Sequence, residues 1–569
     1  MNDDRVTYFA ETDARNKRLK FGIKANDRTR HVYVIGKTGM GKSTLLENMA
    51  VQDIENGDGM AFIDPHGKTA DLLLEYVPED RIRDVIYIAP FDVEHPISFN
   101  VLESVDPAKR HLVVSGLMST FKKIWVDAWS ARMEYILTNT LLALLEYPGA
   151  TLLGVNRMLS DKDYRKDVVS KITDPSVRAF WVKEFAGYTE RMAAEAVPAI
   201  QNKVGQFTAN PLIRNMIGQP TSSFDFREAM DKRKIIIINL SKGKIGDENM
   251  KLLGGLLVTK IYLAAMSRAD VPDRMMKMLP NFYLYVDEFQ NFANASFADI
   301  LSEARKYKLN LTIAHQYIEQ MDEIVRPAVF GNVGTMIMFR VGATDAEALE
   351  NEFTPQFVIE DLVNLGFAQI YLKLMIDGLT SAPFSARTLG PIPHPEHSYV
   401  KEIIDASREQ FAKPRAAVEI EIVKFHEPLA RPVSVSAPSV SPNKGAPSSY
   451  PKPSLPKVEV PLPKTEAPRA QVSQVKASPA PIPVPIPMPK PVSLSSLSAK
   501  NIPKPDHKLP DQKNVADLKS ALAAVLGKSA EKPSEPAPKH EQVPKPAAPA
   551  PKKLPGEVPE DILKQVLKL

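Results

Sequence analysis

Cysteine is absent from all 569 residues. The chain therefore has no disulfide, no thiolate zinc site and no cysteine nucleophile, which fits a reducing compartment. Long apolar runs are missing too. None reaches the roughly 18 residues needed to span a bilayer, and the nearest, Gly254 to Met266, is broken by Lys260. Residues Met1 to Lys20 are charged and carry no signal-peptide core. No internal repeat of roughly 20–50 residues stands out. These absences predict no integral membrane segment and a cytoplasmic chain, recruited to a membrane only where a partner holds it there.

What is present is unevenly spread. The first 410 residues hold 18 of the 49 prolines and the last 159 hold 31. Lys+Arg number 48 against 54 Asp+Glu up to residue 410, a net −6, and 24 against 14 after it, a net +10. The overall +4 describes neither part; an acidic folded body with a cationic tail does.

The most specific motif is Gly36-Lys37-Thr38-Gly39-Met40-Gly41-Lys42-Ser43, with Thr44 behind it. It follows the apolar run Val32 to Ile35 and opens a helical pattern, with Leu46, Ala50 and Ile54 on one face and Gly57 as its stop. Strand, glycine loop and helix in that order form a phosphate-binding loop. The glycines let backbone N–H groups turn inward, Lys42 supplies charge for the β- and γ-phosphates, and Ser43 can hold Mg²⁺.

Strand and helix signals alternate around this motif, predicting an α/β fold with a parallel sheet. Further strands read at Met60–Ile63, Val85–Ala89, Ile235–Ile238, Phe282–Val286, Leu309–Ala314 and Gly334–Phe339. Helical periodicity without strands predicts an all-helical insertion over residues 105–216, whose aromatics, Phe180, Trp181 and Phe185 among them, fall at core spacing. The expected division is an N-terminal segment 1–20, an α/β phosphate-loop domain in two parts, 21–104 and 217–405, the insertion 105–216 between them, and a tail 406–569. The tail is too rich in Pro, Ala, Ser and Lys to bury a core, so it reads as disordered. Two apolar stripes, at 514–527 and 559–569, suit short helices that dock on protein partners; weak binding of the cationic tail to nucleic acid or an anionic surface is the alternative.

Binding alone needs only the phosphate loop; hydrolysis needs more. The strand Phe282–Val286 ends in Asp287 and Glu288, suited to orienting Mg²⁺ through water and to accepting a proton from the attacking water. Gln316, on the next strand, is placed to sense the γ-phosphate or to position water. Arg305, just before that strand, and Arg340, after the following one, are candidates for neutralising transition-state charge; each could instead be a solvated arginine.

Taken in order, Gly36–Ser43, Phe62-Ile63-Asp64-Pro65-His66-Gly67, Val286-Asp287-Glu288-Phe289, Ala314-His315-Gln316 and Phe339-Arg340-Val341-Gly342 resemble the FtsK/HerA superfamily of RecA-like motors. Within it the pattern is most similar to the coupling proteins of type IV secretion and conjugation, over roughly residues 20–395. The resemblance implies an ATP- and Mg²⁺-dependent hexameric ring that moves DNA through a central channel. In such a ring an arginine placed like Arg305 reaches the neighbouring subunit's nucleotide. A channel for DNA would need a few cations from each subunit, and Lys242 and Lys244 in the flexible basic loop Ser241–Gly246 are the pore-loop candidates, with Asn291–Phe297 second; an ordinary solvated turn is the alternative. Coupling proteins typically begin with a transmembrane anchor, whereas 31 residues precede Val32 here. The alternatives are a secretion or pilus ATPase acting on protein, a HerA-like DNA-processing motor, and a nucleotide switch or scaffold.

Overall fold

Short runs of β-branched and aromatic residues, apolar at every position, can only be satisfied by a strand covered on both faces. The computed structural model, which describes residues 4–13, 17–103 and 105–427, places them at the centre of one sheet. Its strands in chain order are β1 (Val6–Glu11), β2 (Lys20–Lys24), β3 (Val32–Ile35), β4 (Gly59–Asp64), β5 (Val85–Ile88), β6 (Ile235–Asn239), β7 (Phe282–Val286), β8 (Leu309–His315), β9 (Thr335–Met338), β10 (Gln369–Lys373) and β13 (Phe384–Thr388). A separate hairpin pairs β11 (Met375–Ile376) with β12 (Leu379–Thr380). The sheet order is β2-β1-β13-β10-β9-β3-β8-β7-β4-β6-β5. From β9 to β5 every pairing is parallel; β10, β13, β1 and β2 extend the sheet antiparallel. This is the α/β, RecA-like phosphate-loop architecture.

The antiparallel extension departs from the expected division. The described part of the N-terminal segment does not stand apart, because Val6–Glu11 pairs with both β2 and β13. Of the flanking strands, Val6–Glu11 and Gln369–Lys373 are buried on one face and partly exposed on the other. Alternation over so few residues is a weaker signal than an unbroken apolar run.

Two layers cover the sheet. The helices Lys42–Glu55 and Lys68–Glu75 pack on one face, through Leu46, Met49, Leu73 and Leu74 against Val34, Phe62 and Ile237. The other face receives Ile35, Ile63, Ile238 and Val286 into a larger core shared with the helices that run between β5 and β6. The described residues between β5 and β6 contain no strand. Phe121 stacks on Trp125 at 4.7 Å and Trp125 on Phe207 at 5.9 Å, and Phe180 and Trp181 are buried; these aromatics are core. The helix Asp247–Met266, with the turn to Asp270, is long and apolar enough to cross a bilayer by length and composition, and 56% of its most apolar window is buried inside the protein. It lies against the helix Arg110–Ile124. A Cβ on Gly116 would sit 2.5 Å from Thr259 Cγ2, and one on Gly255 2.7 Å from Thr120 Cγ2; only glycine lets the two backbones approach so closely.

The body also runs past residue 405. Helices Val400–Phe411 and Arg415–His426 fold back onto it. Ser407 Oγ accepts the Tyr87 N–H at 3.0 Å, Ile403 and Val418 are fully buried, and Arg157 donates to the carbonyls of Phe425 and Glu427. An apolar stripe on each helix outweighs the proline-rich composition around it. The rest of the tail, with both apolar stripes at 514–527 and 559–569, lies outside the described residues.

One charged cluster sits inside the core. Arg28, 1% exposed, donates to Asp53 Oδ1 and Oδ2 at 2.6 and 2.9 Å, to Tyr285 OH at 2.7 Å and to Thr7 Oγ1 at 3.1 Å. Tyr285 OH donates to Asp53 Oδ2 at 2.5 Å, and the guanidinium lies 3.8 Å from the centre of the Tyr283 ring. Removing one member of a buried ion pair strands the other charge and costs about 3–5 kcal/mol. Asp53→Ala should therefore lower the urea midpoint of unfolding by an amount equivalent to that loss. An unchanged midpoint would show that the cluster contributes nothing to stability.

Candidate functional site

The carboxyl ends of the parallel strands all lie at one edge of the sheet, where α/β proteins gather their chemistry. β3 delivers the phosphate loop there. Gly39 and Gly41 hold φ of 77° and 115°, left-handed values that turn the loop back on itself and that side chains resist. Lys42 Nζ is buried under the loop and donates to Gly36 O at 2.6 Å and Lys37 O at 3.3 Å. Burial pulls its pKa down, against the opposing pull of Glu288 and Asp287. Ser43, at the start of the helix, is exposed, and Thr44 is half-buried. The end of β9 forms the wall behind the loop: Lys37 N donates to Arg340 O at 2.8 Å, and a Cβ on Gly36 would lie 2.5 Å from Phe339 Cβ.

β7 brings Asp287 and Glu288 to the same edge. Asp287 is buried, and its pKa is pushed up to about 7, first by burial and then by the charges of Glu288 and Asp64, with Lys42 acting against them. Asp64, at the end of β4, accepts the N–H groups of His66 and Ala70 at 2.7 and 2.9 Å. Asp287 thus feels the charges of Glu288, Asp64 and Lys42 together, and carboxylates crowded this way fit a bound cation. Among the described residues no group of three or more His, Cys, Asp or Glu is arranged to hold a metal.

Glu288 has φ 46° and ψ 48°, a left-handed conformation that costs a non-glycine residue on the order of 1–3 kcal/mol. It aims the side chain into the site, where Oε2 accepts from Gln290 Nε2 at 2.7 Å and Oε1 accepts from Gln316 Nε2. The Gln316 carbonyl in turn accepts from Thr38 Oγ1 at 2.7 Å. A continuous chain, Thr38–Gln316–Glu288, thus joins the phosphate loop to the candidate base. Next to Gln316, His315 is buried against the Tyr33 hydroxyl, and burial lowers its pKa to about 3, so it stays neutral.

The helical layer reaches this edge as well. Lys123 Nζ donates to Ala293 O, in the segment after Glu288, and to Asp322 Oδ2 at 3.3 Å, in the segment after Gln316. Asn294 Nδ2 donates to Thr120 Oγ1 at 3.2 Å. The Asn291–Phe297 segment is therefore a packed segment and not a free loop: Phe292, Asn294 and Phe297 are buried, while Ala295 is exposed. Ser241–Gly246 also differs from the flexible loop expected. Lys242–Ile245 is one helical turn, pinned by Lys242 N to Pro65 O at 2.9 Å. Lys242 and Lys244 are both exposed, but Lys244 Nζ lies 3.8 Å from the centre of the Phe91 ring, leaving Lys242 the freer cation.

The two arginines part company. Arg340 is half-buried beside the loop, with no ion-pair partner among the described residues. Arg305 is exposed in the turn Ala304–Tyr307 that precedes β8, so the length of that strand, roughly 20 Å, separates it from its own subunit's phosphate loop. Asp64 was legible as the strand-end carboxylate of the motif Phe62–Gly67, but not as the charged neighbour of Asp287. One further carboxylate, near Asp64, was not legible. Glu47, which accepts from Thr69 Oγ1 at 2.9 Å and whose pKa burial raises, looks in sequence like any exposed helix glutamate.

The family model of the type IV secretion-system coupling protein DNA-binding domain matches residues 20–366. The type 4 coupling protein DotL of Legionella pneumophila subsp. pneumophila is 22% identical over 372 residues, 55% of this chain and 46% of DotL; the chain spans about half the length of this curated relative. Two solved structures are similar at low identity. The bacterial conjugative coupling protein TrwBdeltaN70 is 13% identical with a TM-score of 0.49, over 69% of this chain and 97% of that one. VirB4 of Thermoanaerobacter pseudethanolicus is 14% identical with a TM-score of 0.44, over 71% and 99%.

The hydrogen-bonded chain makes a prediction that separates binding from turnover. Glu288→Gln should keep ATP affinity and slow phosphate release by about 10²–10⁴-fold, the usual contribution of a general base. Gln316→Ala should show the same split with a smaller loss, and Lys42→Ala should lose affinity. Turnover close to wild type in Glu288→Gln would remove Glu288 from that role.

Proposed function

The chain belongs to the type IV secretion-system coupling protein DNA-binding domain family, and on that premise we propose that it is an ATPase that couples ATP hydrolysis to the movement of DNA. The observation that carries this reading is the Thr38–Gln316–Glu288 chain. A protein that only bound nucleotide would have no use for a carboxylate held in a strained backbone and tied to the phosphate loop. When bound, Mg²⁺ supplies charge neutralisation between the phosphates, with Ser43 and Asp287, the latter through water, as its protein ligands. Lys42 leaves its two backbone carbonyls for the β- and γ-phosphates. Glu288 accepts the proton of the attacking water. Gln316 orients that water and reports its position to Thr38.

The proposed working form is a homo-oligomeric ring, a hexamer, with DNA in its channel. Arg305 supports a ring because it lies too far from its own phosphate loop to act there, while an exposed arginine can reach a neighbour. Arg340 acts within the subunit, behind the loop. The body carries a net −6 up to residue 410, so DNA is held by a few cations on phosphates rather than by a broad basic face, with Lys242 first and Lys244 second. That acidic body is also the one observation that favours the second reading, an ATPase that moves protein. The chain acts on the cytoplasmic side of a transport machine, to which partners docking on its tail recruit it.

Two measurements test this. DNA should raise the ATPase rate, with little dependence on sequence and a steep loss with salt. Lys242→Ala should lower the ratio of stimulated to basal rate, and Lys244→Ala should lower it less. Absence of DNA stimulation at low salt would favour the protein-moving reading. Mixing inactive Arg305→Ala subunits with inactive Glu288→Gln subunits should restore part of the activity, since some interfaces then hold one complete site. Mixtures no more active than their components would remove Arg305 from a neighbour's site.

A further inference from the structure

Phe367 is 67% exposed, more than any other aromatic side chain among the described residues. A lone apolar residue on a surface is ordinary; its mounting is not. Ala368 has φ 61°, a left-handed conformation that L side chains rarely adopt. Its N–H donates to Met40 O at 3.2 Å, at the tip of the phosphate loop, and its carbonyl accepts Thr388 N at 2.9 Å. Gln369 closes the turn from the other side, with Oε1 accepting Gly366 N at 2.7 Å. Phe367 is thus presented by a strained turn bonded directly to the loop that cradles phosphate.

The sheet order gives the direction a bound nucleotide must take. Glu288 and Gln316 end β7 and β8, on one side of β3, and they mark the γ-phosphate end. The α-phosphate, ribose and base must leave the cradle on the opposite side, over β9 and β10. β10 runs antiparallel to β9, pairing Tyr371 with Met338, so the turn before β10 stands at the same edge as the phosphate loop. Thr388 is close as well: its Oγ1 would lie 3.8 Å from a Cβ on Gly41.

We propose that Phe367 is the platform on which the base of the bound nucleoside triphosphate stacks. This deepens the nucleotide-hydrolysis reading above and rests on it. A flat apolar ring takes any purine face and reads no hydrogen-bonding edge, so it adds affinity more than it discriminates adenine from guanine.

Calorimetry on the full chain with two probes, ATP and inorganic tripolyphosphate, isolates the base. Phe367→Ala should weaken ATP about tenfold, the effect of losing one stacked ring, and leave tripolyphosphate unchanged. Phe367→Trp should keep ATP affinity and add to the wild-type emission a fluorescence that ATP quenches and tripolyphosphate does not. Equal ATP affinity in wild type and Phe367→Ala overturns the proposal, as does an equal loss for both probes, which would mean damage to the loop through Met40. A shift in oligomer mass with ATP affinity unchanged would make Phe367 an interface residue and also overturn it. Failure of the underlying reading looks different: wild type would then bind neither probe in a Lys42-dependent way.

Discussion

A guanidinium buried in the core sets the geometry on which the site depends. Arg28 cannot be left without partners in that environment, so Asp53, Tyr285 and Thr7 must converge on it. Asp53 lies in the helix that grows from the phosphate loop, and Tyr285 lies in the strand that ends in Asp287 and Glu288. The ion pair therefore fixes the end of the helix remote from the phosphate loop against the strand, whose Tyr285 stands two residues before Asp287. At the other end, Thr38, Gln316 and Glu288 are left within hydrogen-bonding reach of one another. A hydrophobic contact there would allow sliding; a bidentate pair with a shared phenol does not.

The second constraint comes from the helical layer. Its core is continuous with one face of the sheet, and Lys123 bonds to the segments that follow both Glu288 and Gln316. A displacement of the helix Arg110–Ile124 would be felt by both segments through a single cation. The close glycine contacts to the helix Asp247–Met266 make that helix pair move as a unit, since close-packed surfaces resist independent sliding.

Most of the parallel sheet was legible in the chain, and for a physical reason. A strand buried on both faces must be apolar at every position, as Ile235–Ile238 and Phe282–Val286 are, and such runs stand out without any knowledge of their neighbours. The flanking strands were not legible. Val6–Glu11 and Gln369–Lys373 are covered on one face only, and their short alternation is shared with many loops. Helices Val400–Phe411 and Arg415–His426 were hidden by composition: prolines nearby argued for a tail, while Ile403, Val418 and Ile422 found a surface to bury.

The sequence by itself determined the elements whose chemistry is local. Glycines at fixed spacing dictate a phosphate loop, and carboxylates that end an apolar strand arrive at its carboxyl edge, because loop conformation and strand polarity are set by neighbouring residues. Tertiary structure alone decided which of these meet. That Gln316 bridges Thr38 to Glu288, that Asp64 joins Asp287, that Arg305 lies at the far edge from its own loop while Arg340 stands beside it, and that Phe367 is mounted on Met40 all follow from the order of strands in the sheet. Strand order is a long-range property, set by which buried faces pack together, and no window of sequence contains both partners.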